Sequence, residues 1–185
     1  MIIQIRGTSG SGKSTVMRQV MERTGPWSPE YVSGRKKPLY CRSVWQGLKL
    51  VVLGHYESPC GGCDTIGSAR AVFELIDIIH PYDVVLSEGL LLSEDVKWTC
   101  QMAGVRPLFL TTDVERCIEQ IKGRREEVGN SKPLSEKNTR NRVAVIERAR
   151  NRLLEAGIDC RRASPEQAGR LILSWLKTCC RSAKT

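Results

Sequence analysis

Two rhythms of apolar residues run along this chain, and they predict two kinds of element. Short runs, Ile2-Ile3-Gln4-Ile5, Tyr82 to Ser87 and Arg106 to Thr111, have the length and content of strands buried on both faces. Between them apolar residues recur every three or four positions, the spacing of one helix face. Val16, Met17 and Val20 give a helix over 13–23 that Gly25-Pro26 stops, and Ala71, Val72, Leu75, Ile76 and Ile79 give another over 68–80. Further helices are expected over 95–103, from an Asp113 cap to Arg125, and over 136–156. A last one runs from Ser164-Pro165-Glu166 to Cys179, with a capping serine followed by a proline suited to the first helical position. Gln46-Gly47 parts two apolar runs, 39–45 and 48–53, and predicts a hairpin, while 157–162 reads as a short final strand. Strands alternating with helices imply an α/β fold of three layers, a parallel sheet covered on both faces. One domain over 1–185 accounts for the pattern, with 27–48 inserted after the first helix and 126–135 as a polar, mobile loop.

Length, charge and cysteine usage narrow the classes. A chain of 185 residues can bury one full core without metal or disulfide staples. No run approaches the roughly 20 apolar residues that cross a bilayer, so no membrane partner is expected. The start, Met1 to Arg6, lacks the charged-then-apolar order of a secretory signal, which points to the cytoplasm. The eight cysteines then read as reduced thiols, with Cys41, Cys100, Cys117 and Cys160 in apolar, core-like patterns. Cys60 and Cys63 have the spacing of a zinc pair, but only His55 stands near enough in sequence to add a third ligand. Lys and Arg number 29 against 20 Asp and Glu, and the net +9 favours a polyanion such as nucleic acid. Aromatic residues, at 5%, are too few for an extended base-stacking platform.

The decisive motif is Gly7-Thr8-Ser9-Gly10-Ser11-Gly12-Lys13-Ser14-Thr15, which fits G-x-x-x-x-G-K-[ST] between an apolar strand and a helix. Glycines permit a tight loop whose amides turn inward on phosphate oxygens, and the helix start adds its dipole. Gly7, Ser9, Gly10, Ser11, Gly12, Lys13, Ser14 and Thr15 are therefore the candidate ATP-binding residues. Within them, Lys13 is expected on the β- and γ-phosphates and the Ser14 hydroxyl on Mg²⁺. On this motif and the order of elements, the chain resembles the P-loop kinases of the nucleotide- and polynucleotide-kinase type. The resemblance implies a P-loop NTPase fold with a five-stranded parallel core, ATP as donor and a helical lid over 122–138. The stretch Gly54-His55-Tyr56-Glu57 to Gly61-Gly62-Cys63-Asp64-Thr65 is similar to that of phage kinases acting on hydroxymethyluracil in DNA. That resemblance implies DNA bearing a hydroxymethylated pyrimidine as partner, and the host cytoplasm as location. The chain departs from nucleoside-monophosphate kinases, which carry a signature after the second strand that is missing here.

The same resemblance makes Asp64 the candidate catalytic base, against the plainer reading of a cap for the helix near Ser68. Glu88 ends an apolar strand where ligands bind in open parallel sheets, so it could hold the Mg²⁺ shell or orient substrate. Asp83, at the other end of that strand, sits on the wrong edge. His55, Tyr56 and Glu57 leave the preceding strand and could shape an acceptor pocket. Among Arg116, Lys122, Arg124 and Arg125, Arg124 is the candidate for charge stabilisation on the transferring phosphate, weighed against a merely solvated helix face. Arg35, Lys36 and Lys37, and the run from Lys132 and Lys137 through Arg140, Arg142, Arg148, Arg150 and Arg152, suit a phosphate backbone or ordinary solubility. Three functions thus compete: a kinase for a hydroxyl carried on DNA, a small-molecule or nucleoside kinase, and a nucleotide-binding regulatory ATPase.

Overall fold

A computed structural model describes residues 1–57, 62–63, 66–79, 81–89, 93–130 and 133–182. Seven strands form one mixed sheet: β1 Ile2–Arg6, β2 Ser28–Glu30, β3 Tyr40–Trp45, β4 Leu48–Leu53, β5 Val84–Gly89, β6 Val105–Leu110 and β7 Arg161–Ala163. Among the described residues six helices cover it: α1 Lys13–Thr24, α2 Ala69–Ile78, α3 Ser93–Gln101, α4 Val114–Glu127, α5 Glu136–Glu155 and α6 Pro165–Ser182. The strand order is β2-β3-β4-β5-β1-β6-β7. The pairs β4–β5, β5–β1, β1–β6 and β6–β7 run parallel, whereas β2–β3 and β3–β4 are antiparallel. The sheet is therefore mixed, an arrangement consistent with a P-loop kinase.

Strand register decides which side chains share a face. Ile3 and Ile5 pair with Leu86 and Glu88, and this face packs on Val16, Met17 and Val20 of α1 and Ile172 and Leu176 of α6. Gln4 and Arg6 pair with Ser87 and Gly89 on the opposite face. There Leu75 and Ile76 of α2 pack on Val51, Leu53 and Val85, while α5 packs through Ile146, Ala149 and Leu153 on Phe109. β5 is buried along its whole length, as a strand flanked on both edges and covered on both faces must be.

The hairpin expected around Gln46-Gly47 forms, with φ of 51° and 87° at these two residues, the positive pair that a two-residue turn of matching twist requires. Strand β2 was not anticipated, because Ser28-Pro29-Glu30 has no apolar alternation; it joins the edge through backbone pairing to β3. Helix α4 extends to Glu127, shortening the loop expected from Glu126. Asp113 and Ser68 cap their helices through side-chain oxygens, Asp113 accepting from the Glu115 amide at 2.8 Å and Ser68 from that of Ala71 at 3.1 Å. Cys41, Cys117 and Cys160 are buried as their patterns require, but Cys100 lies on the outer face of α3, exposed. Among the described residues, no helix is long and apolar enough to cross a membrane.

Candidate active site

The glycine loop leaves β1 at the carboxyl edge of the sheet and enters α1 at Lys13. Gly12 caps α1 in the left-handed region with no side-chain cap, so the first amides of the helix face the loop's interior. Gly10 has φ +76°, and a Cβ there would stand 2.3 Å from the Cys117 carbonyl oxygen of α4. Backbone cannot yield to such a contact, so α4 buttresses the loop only because residue 10 is glycine. Thr112 adds a second strut, its hydroxyl donating to the Ser11 carbonyl at 2.8 Å. Lys13 spans the loop, its ammonium donating to the Thr8 carbonyl at 2.9 Å. Among the described residues, the buried hydroxyls of Thr8 and Ser11 have no hydrogen-bond partner. An unmet buried hydroxyl costs about 1–3 kcal/mol, and two of them beside a lysine and a free helix start fit a phosphate ligand. Ser14 is half-buried at the first turn of α1, while Thr15 faces outward and is exposed.

Glu88 lies at the end of β5 on the sheet face that packs on α1, 3% exposed. Tyr56 approaches it: burial, and then the negative charge of the Glu88 carboxylate, push the phenol well above its usual pKa of 10. Gly62 closes the other side, with the left-handed φ of +79° and no room for a side chain against Glu88. The Gly62 amide donates to the His55 carbonyl at 2.8 Å, drawing the segment after β4 back over the strand end. His55 itself is fully buried, and burial followed by Lys37 lowers its pKa, so the ring is neutral at pH 7. Neither of its ring nitrogens has a hydrogen-bond partner among the described residues. Asp83 accepts from the Lys49 amide at 2.7 Å at the amino edge of the sheet, away from the loop, as its position before β5 implied. Asp64, Cys60 and Lys132 lie outside the described residues.

Between the sheet and helices α2 and α3 lies a cavity of about 210 Å³, with Glu88 among its lining residues. Gln4 and Ser87 form its floor, Arg6 and Gly89 its carboxyl end, and Phe73 and Trp98 part of its wall. Arg6 is 3.8 Å from Asp95, and burial lowers its pKa before Asp95 raises it. An arginine remains charged even so, so a fixed positive charge sits one residue before the phosphate loop. Sequence reading missed this cavity. The available signal was Gln4 and Arg6, polar residues alternating in a strand too buried to tolerate them without a use.

The basic residues divide. Lys122 is paired with Glu136 at 2.7 Å and Arg140 with both Glu115 and Glu136, so these charges fasten α4 to α5. Arg116 reaches Glu166 of α6 at 3.4 Å and follows directly in front of Cys117, the residue that touches Gly10. Arg124 is half-buried about 10 Å further along α4, at 1.5 Å per residue from Cys117. Arg150 and Arg162 both meet Glu147. Lys36 and Lys37 are exposed on the loop before β3, close enough for Lys37 and Arg35 to act on His55.

No family model matches the chain. A 5-hmdU DNA kinase of Pseudomonas phage PaMx11 is 40% identical over 145 residues, 75% of this chain and 77% of the relative. A 5-hmdU DNA kinase of Pseudomonas phage M6 is 26% identical over 167 residues, 84% and 86% of the two chains. That of Delftia phage PhiW-14 is 24% identical over 177 residues, 85% of this chain and 65% of the relative. With kinship of this extent to the PaMx11 protein, the chain belongs to the 5-hmdU DNA kinases.

Proposed function

We propose that this protein transfers the γ-phosphate of ATP to the hydroxyl of hydroxymethyluracil in DNA, a step in the hypermodification of phage DNA bases in the host cytoplasm. The observation that carries this reading is the kinship with the PaMx11 5-hmdU DNA kinase. The glycine loop, with its unmet hydroxyls and Lys13, supplies the matching chemistry.

In the proposed reaction, the hydroxyl oxygen attacks the γ-phosphorus, the bond to the β,γ-bridging oxygen breaks, and ADP leaves. Lys13 exchanges the Thr8 carbonyl for phosphate oxygens and offsets their growing charge, as such lysines do in loops of this kind. The hydroxyl proton passes to Asp64, two residues beyond the Gly62 that packs on Glu88. Ser14 and Glu88 offer a hydroxyl and a carboxylate, the hard oxygen donors that Mg²⁺ takes alongside nucleotide phosphates. Mg²⁺ held there would neutralise phosphate charge. Arg124 is proposed to reach the transferring phosphate when the 122–138 segment closes, and five parallel strands, β4-β5-β1-β6-β7, are proposed as the P-loop core.

The test offers the enzyme labelled ATP with hydroxymethyluracil DNA and, separately, with the free hydroxymethyl nucleoside. Label in the DNA with little in the nucleoside is expected. Preference for the free nucleoside would overturn the DNA-directed reading.

A further inference from the structure

A hydroxymethyl group at C5 of a pyrimidine already projects into the major groove, where an enzyme can reach it with the base still stacked. The cavity between α2 and α3 argues otherwise. It is recessed against the sheet, its floor formed by Gln4, 1% exposed, and Ser87, 3% exposed. Among the described residues, the Gln4 carboxamide donates to the Met102 sulfur alone, at 3.2 Å, and accepts from the Thr99 hydroxyl at 3.3 Å. A thioether is a weak acceptor, so a buried amide donor is held to a poor partner. Phe73 of α2, packed at the edge of the core, and Trp98 of α3 meet with ring centroids 5.1 Å apart and planes tilted by 42°, both half-buried and both lining this cavity. In a chain with two Phe and four Trp, that meeting places a stacking surface where an amide, a hydroxyl and an arginine converge.

We infer that the cavity receives the target pyrimidine itself, swung out of the DNA stack, with Phe73 and Trp98 as its stacking wall and Gln4 reading its imide edge. The amide fits that edge: Oε1 accepts the ring N3–H while Nε2 donates to a ring carbonyl. Arg6 and Gly89 end β1 and β5 at the cavity's carboxyl end, one residue before Gly7. A base seated on Gln4 therefore points its C5 substituent towards the phosphate loop. This rests on the proposed kinase activity, and it adds a requirement for extrusion that the activity alone does not impose.

Extrusion costs least when the base is poorly paired. The kinase is therefore assayed on duplexes with hydroxymethyluracil opposite adenine, opposite a mismatch and opposite an abasic site. In parallel, 2-aminopurine opposite the target reports loss of its partner on binding without ATP. Rising kcat/KM as pairing weakens, together with a fluorescence rise on binding, is expected. Phe73→Leu and Trp98→Leu should each raise KM for DNA roughly 5- to 150-fold, the range for one lost base-stacking contact, with KM for ATP unchanged. Gln4→Met should raise KM for DNA and relax discrimination between hydroxymethyluracil and hydroxymethylcytosine. Phosphorylation that proceeds with flat fluorescence and no dependence on pairing overturns extrusion while leaving the kinase reading intact. No phosphorylation of any hydroxymethylated DNA overturns the kinase reading, and this inference with it.

Discussion

Gly62→Ala tests how tightly the site is built around Glu88. A Cβ at position 62 falls 2.5 Å from Oε1, 2.8 Å from Cγ and 3.0 Å from Cδ of Glu88. Only the first of these atoms is a side-chain tip, and the residue is 3% exposed, so the carboxylate cannot swing into solvent without breaking its burial. Alanine also has to hold φ at +79°, which costs an L-residue about 1–2 kcal/mol. Displacing a packed side chain adds about 1–3 kcal/mol, for a total of about 2–5 kcal/mol. At this chain length each kcal/mol lowers Tm by about 2–4 °C. The assay is urea unfolding of wild type, Gly62→Ala, Glu88→Ala and the double variant. With Glu88 truncated the clash is gone, so the glycine substitution should then cost only its backbone part, about 1–2 kcal/mol. The cycle should therefore show a coupling of about 1–3 kcal/mol. Additivity within about 0.5 kcal/mol would refute the claim that residue 62 is glycine to make room for Glu88.

Three further outcomes are expected. Lys13→Ala should lower kcat by at least about 10²-fold, the cost of deleting one charge-stabilising donor, with folding unchanged by circular dichroism; retained turnover would remove Lys13 from the chemistry. Burial pushes the Cys160 thiol up from 9.0 to about 11 and raises Tyr56 above 10, so the folded chain keeps protons that the unfolded chain loses. Stability is thus fully present below pH 9 and falls above it, by about 1 kcal/mol per pH unit for one such group. Urea midpoints from pH 8 to 11 should drop less steeply in Cys160→Ala, and identical slopes would contradict this. Neutralising Lys36 and Lys37 to Gln should reduce the slope of log K against log salt for duplex binding by about 2, if each meets one phosphate; an unchanged slope would take both residues off the DNA surface.

Much of the architecture was legible because burial writes a simple code. Ile2 to Ile5 and Val84 to Leu86 had to be strands sheltered on both sides, and Gln46-Gly47 had to turn. The glycine loop was legible for the same reason, since its spacing is a backbone requirement. What escaped either carries no apolar pattern in sequence or is assembled across the sheet. Strand β2 has no apolar alternation and is fixed by pairing to β3, with Glu30 also ion-paired to Arg42. Cys100 followed an apolar neighbourhood in sequence yet falls on the outer side of α3. Phe73 and Trp98 are 25 residues apart and meet only because α2 and α3 flank the same cavity. The Gly62–Glu88 contact likewise joins two loops' worth of chain that no local spacing connects.

The most direct test of the whole account is transfer of label from γ-labelled ATP to two duplexes identical but for one base, hydroxymethyluracil or thymine. The account predicts label on the first alone, released by digestion as a phosphorylated hydroxymethyl nucleoside and absent with Lys13→Ala. Equal labelling of both duplexes, or ADP formation that leaves the hydroxymethyl group untouched, would contradict it.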